Sequence, residues 1–333
     1  MDGDLSAQMI AGIGRFFENE TRLAAANRAT FWKPDLTGGR AAFEKSVQPN
    51  RERLARILGV VDPRPAEIDL EYVATLSVPA RIAETDRFVV YAVRWPVLEG
   101  LSAEGLLLQP NGAVLARVVA LPDADQTPEV IAGLAPGLPP HLQYARRLAE
   151  NGCQVIVPAL VDRADTFSGN ASLNLRTNRP HREWIYRQAF TLGRHPIGYE
   201  VQTILAAVDW FARQNGVAAA SRRSGMDSTA PIGVVGWAEG GLLAFYSAAL
   251  DQRIDSVLVS GYFAPRERLW DEPIYRNVFG LLPEFGDAEI AQLIAPRTLL
   301  VEHAPTPRVD GPPPARPGRA GAAPGRIVPL PGA

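Results

Sequence analysis

Ile232-Gly-Val-Val-Gly-Trp-Ala-Glu-Gly-Gly241, running directly into Leu242-Leu-Ala-Phe-Tyr-Ser-Ala-Ala249, is the stretch that decides the fold. A short apolar run suits a buried strand, the glycines that follow suit a sharp turn, and the apolar continuation suits a buried helix. Strand, tight turn and helix in this order are the setting of a nucleophile elbow, G-x-Nuc-x-G. The strained backbone of such a turn brings strand and helix so close that small residues are needed two places either side of the apex. Gly236 and Gly240 meet that need only if Ala238 is the apex. Placing Glu239 there would put Trp237 where a small residue is required. The apex therefore carries a methyl group, with no oxygen or sulfur to attack a carbonyl.

Working outward, strands and helices alternate. Phe88–Trp95 and Gly105–Leu108 read as strands, with Asn111-Gly112 as a turn behind them. Arg117–Leu121, Gln154–Val157, Ile254–Val259 and Thr298–Val301 read as further strands. His141–Glu150, the face carrying Val201, Ile204, Leu205, Val208 and Phe211, and Asp287–Ile294 read as helices. This pattern predicts an α/β fold: a mostly parallel, twisted sheet with helices on both faces. Residues 1–71 are expected to form a helical N-terminal arm packed on the main domain, with Met9, Ile13, Phe16 and Phe17 on one apolar face. Residues 72–304 form the α/β domain, with 162–200 as a lid-like insertion. Nine prolines and five glycines among residues 305–333 predict a disordered tail.

Bulk properties remove several classes of function. A formal net charge of −2 over 333 residues gives no electrostatic reason to expect DNA, RNA or an acidic membrane as the main partner. No apolar run is long enough to span a bilayer. Met1–Ile10 lacks the pattern of a signal peptide, which leaves the compartment open and export of a longer form allowed. The single Cys153 forms no internal disulfide; at the start of its strand it reads as a small core residue. No metal-binding spacing is present, so neither metal nor cofactor is expected.

The elbow, together with Ile294-Ala-Pro-Arg297 entering a strand and the order of elements between them, resembles the α/β-hydrolase superfamily in its dienelactone-hydrolase and acetyl-xylan-esterase-like branch. The resemblance runs from about Tyr72 to Val301 and implies a Ser or Cys at the elbow, an acid after a later strand and a histidine after the last. The sequence departs at each point: Ala238 replaces the nucleophile, Glu302-His303-Ala304-Pro305 follows the last visible strand, and no histidine follows the tail. Either the chain is a fragment or its lineage has lost Ser-type catalysis, and truncation alone does not change residue 238. His303 precedes the place where the family's histidine arises, and His141 opens a helix.

Several groups are placed to line a ligand site by this reading. The Glu239 backbone N–H corresponds to one oxyanion-hole donor. Its carboxylate is a candidate acid/base, or else a first-turn acid favoured by the helix dipole. Asp123 and Asp125 follow a strand at the place of the second oxyanion donor, and Trp237 flanks the apex. In the insertion, Arg179, His181 and Arg182 are candidates for binding an anionic or carbohydrate ester; equally, its arginines can pair with Glu183, Glu200 and Asp162 to hold the insertion in place. Two functions follow: an esterase-like hydrolase acting on or binding an acyl or sugar ester, or a non-catalytic pseudo-hydrolase serving as a ligand-binding or scaffold protein.

Overall fold

Arg117–Leu121 and Ile232–Trp237 lie side by side and parallel at the centre of a nine-stranded sheet. The computed structural model describes residues 3–221, 229–267, 272–309, 314 and 316–318. In chain order the strands are β1 (Glu71–Tyr72), β2 (Arg81–Glu84), β3 (Phe88–Leu98), β4 (Leu101–Pro110), β5 (Ala116–Leu121), β6 (Cys153–Pro158), the small hairpin β7 (Gly169–Asn170) and β8 (Leu175–Arg176), then β9 (Ile232–Trp237), β10 (Ser256–Ser260) and β11 (Thr298–Glu302). The sheet runs β1-β3-β4-β6-β5-β9-β10-β11, with β2 also paired to β3. From β6 to β11 every pairing is parallel; the β3–β4 hairpin and its neighbours are antiparallel.

The helices are α1 (Leu5–Asn27), α2 (Gly39–Ile57), α3 (Pro128–Ala132), α4 (Tyr144–Glu150), α5 (His181–Phe190), α6 (Pro196–Ser221), α7 (Glu239–Leu250) and α8 (Asp287–Gln292). Alternate side chains of the central strands enter different cores, as the two-residue period of a strand requires. Val119, Leu121 and Ile156 pack with α6 and α7, while Ala120, Val155 and Val157 pack with α3 and α4. The sheet is thus covered on both faces, which is why β5, β6 and β9 are buried along nearly their whole length.

The arm divides into two parts. α2 lies against α7 and buries Val47 and Leu54; its Arg51 donates to the Leu293 carbonyl at 3.0 Å. α1 has no buried residue at all, so the packing expected of Met9, Ile13, Phe16 and Phe17 is absent among the described residues. The pattern gave the helix correctly, because a 3.6-residue period reports the face and not its partner. The insertion forms the β7–β8 hairpin and α5, and its last residues already belong to α6. Of the proline-rich tail only 305–309, 314 and 316–318 lie within the described residues. Cys153 opens β6, half-buried, with burial raising its thiol pKa.

The passage from β9 to α7 depends on a close approach of strand and helix. A Cβ on Gly236 would collide with the Gly240 carbonyl, and one on Gly240 with the Leu121 and Pro122 carbonyls. Backbone cannot yield there as a flexible side chain can. Gly236→Ala is expected to lower stability by on the order of 3 kcal/mol, measured by urea unfolding; an unchanged unfolding midpoint would show that strand and helix are not held together in this way.

Candidate active-site face

Ala238 is the apex of the elbow. Its φ of 54° and ψ of −112° place a non-glycine residue in a region that L-residues rarely adopt. The turn is held on both sides: Ala238 N–H donates to Ser260 O at 3.0 Å, and Leu242 N–H donates back to Ala238 O at 3.1 Å. The methyl is 1% exposed. The Trp237 indole N–H donates to Pro305 O at 3.1 Å, so residues just after β11 lie beside the elbow.

The neighbouring N–H is also engaged. Glu239 N–H donates to Asp123 Oδ1 at 3.1 Å, so the position expected to receive a substrate oxygen is met by a carboxylate. Arg163 clamps that carboxylate, with Nη1 to Oδ2 at 2.6 Å and Nη2 to Oδ1 at 3.0 Å. Its Nη1 also meets Asp125 Oδ2 at 3.0 Å, and its Nε donates to Tyr275 Oη at 2.8 Å. Burial opposes ionisation of Asp123, but Arg163 and the Glu239 N–H outweigh it and hold its pKa below the ordinary value.

The Glu239 side chain is 0% exposed and binds three arginines from three segments. Arg182 Nη2 lies 3.1 Å from Oε1; Arg163 Nη2 and Arg276 Nη2 lie 3.2 and 2.8 Å from Oε2. Arg182 completes its fork on Glu200, at 2.9 and 2.6 Å, and Arg276 reaches Glu272 at 3.0 Å. Burial alone would raise the Glu239 pKa, yet Arg182, Arg276 and Arg163 pull it down to about 2. A carboxylate so acidic and so fully bonded is a poor general base near neutral pH. Three arginines face Asp123, Glu200 and Glu239 at the centre, with Asp125 and Glu272 at the margin, so no positive charge is left over for an anionic ligand.

The other groups singled out in the sequence fall at two places. Asp123, Asp125 and Arg182 join the cluster around Glu239, where Arg182 is shared between Glu200 and Glu239. His181 and Arg179 sit in the insertion: His181 Nδ1 meets Asp162 Oδ1 at 2.5 Å, its Nε2 accepts from Phe167 N–H at 2.8 Å, and Arg179 lies 4.0 Å from Glu183. With both ring nitrogens engaged, His181 has no free nitrogen to act as a base. His195 is likewise used twice, Nδ1 accepting from Ile197 N–H at 3.1 Å and Nε2 donating to Asn277 O at 3.2 Å. Burial pushes its pKa down to about 4, so it is neutral. His303 is exposed just beyond β11. Sequence reading missed Arg163 and Arg276, which carry no local signal: each is one arginine among many until the chain folds.

Glu239 is ionised in the folded chain at pH values where the unfolded chain, with a pKa near 4.5, would take up a proton. Its contribution is therefore complete above about pH 4.5 and is lost as pH falls from there through about 2. Glu200, raised chiefly by burial, acts with the opposite sign. Glu239→Gln should cost about 3–5 kcal/mol at pH 7 by leaving three buried guanidinium groups short of an anion. It should also flatten the fall of the thermal midpoint over that acid window. Equal midpoints for the two proteins at pH 7 would show that the cluster does not hold this face together.

No protein-family model matches the chain, and no curated protein matches it in sequence. Solved structures do resemble it. A protein from Bacteroides fragilis described as an acetyl xylan esterase superposes with a TM-score of 0.58 at 17% identity, over 84% of this chain and 73% of that one. A methylesterase superposes with a TM-score of 0.50 at 17% identity, over 85% of this chain and 55% of that one. A glucuronoyl esterase from Solibacter usitatus gives 0.48 at 14% identity, over 77% and 74%. The sheet, the elbow and the first two of these neighbours agree on the fold: the chain has the α/β-hydrolase fold.

Proposed function

We propose that this chain is a non-catalytic member of the esterase-like α/β-hydrolase fold, serving to bind an acyl or sugar ester rather than cleave it. The observation that carries the reading is the Asp123 carboxylate on the Glu239 N–H, 3.1 Å away, beside an apex that holds only a methyl group. Acyl transfer needs a nucleophile and an N–H aimed at developing negative charge. Here the first is absent, and the second faces a fixed anion that would repel an oxyanion. Glu239 as a water-activating base, the route open to a hydrolase without serine, is disfavoured by its pKa of about 2 and its three arginine partners.

The sugar-ester class rests on likeness to a protein described as an acetyl xylan esterase, and the ester itself also on likeness to a methylesterase. It agrees with a face whose charges are already balanced among themselves, which suits a neutral ester better than a free acid.

Two measurements on the purified chain test the reading. Hydrolysis of 4-nitrophenyl acetate should not exceed the buffer rate, and Ala238→Ser should not restore it, because no histidine is hydrogen-bonded at the apex and Asp123 stays in place. Calorimetric titration with acetylated xylo-oligosaccharide should show saturable binding. Turnover that disappears in Glu239→Gln while the fold persists would establish the hydrolase instead, and absence of any binding would remove the ligand.

A further inference from the structure

The face around Glu239 has no unpaired cation, but a second cleft does. α2 presents Arg53, Arg56 and Ile57 to a space of about 530 Å³ that Phe190, Phe279 and the turn through Arg194 also line. That volume lies within the range of small-molecule sites. Arg53 is bound to both oxygens of Glu284, and Arg194 to both oxygens of Asp62, at 3.0 and 2.6 Å. Arg56 alone of the three has a guanidinium without a hydrogen bond or ion pair among the described residues, and it stands one helical turn from Arg53 on the same face.

The aromatic part of the lining is open to solvent. Phe279 is 79% exposed and Phe190 44% exposed, packed edge to face with centroids 5.9 Å apart. Tyr186 backs Phe190 at 5.6 Å and meets His195 at 5.4 Å. His195, which also lines the cleft, is buried with both ring nitrogens bonded, so that part of the wall is rigid and uncharged. An edge-to-face pair leaves one broad ring surface free, the arrangement that accepts another ring.

We infer that this cleft binds a ring-bearing monocarboxylate, with the carboxylate in the Arg56 fork and the ring against Phe279 and Phe190. A planar guanidinium matches a carboxylate with two parallel hydrogen bonds. One free cation beside the Glu284 carboxylate accommodates a single negative charge and disfavours a polyanion such as a nucleotide. The inference is independent of what happens at Ala238, because the residues that carry it belong to neither the elbow nor the cluster around Glu239.

The test is fluorescence titration of the full chain with 2-naphthoate, and with 2-naphthylmethanol as its uncharged counterpart. Saturable naphthoate binding is expected, weakened about tenfold by Arg56→Gln and about tenfold by Phe279→Ala, with the alcohol about tenfold weaker than the acid. Both side chains are exposed, so both variants should unfold at the wild-type temperature, which circular dichroism checks. No saturable binding to the wild-type chain, binding unaltered in both variants, or equal affinity for acid and alcohol would each overturn the assignment.

Discussion

One carboxylate organises the face around the elbow. Glu239 follows the apex of the elbow directly and enters α7 as its first residue, so its position is set by the turn itself. Around it close Arg163, from the connection after β6; Arg182, from α5; and Arg276, from the segment after β10. Three separate segments of the chain are thereby tied to the turn between β9 and α7. A buried ion cluster contributes little net stability compared with a well-packed apolar one, but it is unforgiving of partial loss. That asymmetry suits a role in fixing the arrangement of loops rather than in adding to their stability.

The same cluster changes what the elbow can do. Arg163 holds Asp123 with two hydrogen bonds, and Asp123 in turn accepts from the Glu239 N–H. A neutral oxygen at that N–H would leave the donor free to be taken by a substrate; a clamped carboxylate does not. The vacancy at residue 238 and the occupancy at the neighbouring N–H point the same way, although they arise from residues more than a hundred positions apart in the chain.

The fold was legible because its signals are local. The glycine spacing around Ala238, the alternation of apolar strands with amphipathic helices, and the turn residues between them each need only a short window of sequence. β5, β6, β9, β10 and β11 lie within a few residues of the runs that announced them. Pairing between distant charged groups has no such window. Arg182 was identified, but nothing in its surroundings distinguishes a ligand-binding fork from one shared by Glu200 and Glu239. α1 shows the same limit for apolar groups: its stripe predicts a helix, and the described residues supply nothing for that stripe to cover.

The strained turn also bears on how such sites are read. A residue with φ of 54° and ψ of −112° is commonly taken as strain retained for catalysis. Here it persists with alanine at the apex, and packing supplies the reason. β9 is bonded on both sides, to β5 and β10, and α7 must leave its end at once to cover the sheet. Gly236 meets the Gly240 carbonyl, Gly240 meets the carbonyls of Leu121 and Pro122, and the Ala238 amide is fastened to Ser260. Relaxing the apex would require moving the helix away from three strands at once. The elbow is therefore a property of how this strand hands over to this helix. Its geometry specifies where a nucleophile would stand, and only the side chain at that point, with the state of the adjacent N–H, decides whether chemistry follows.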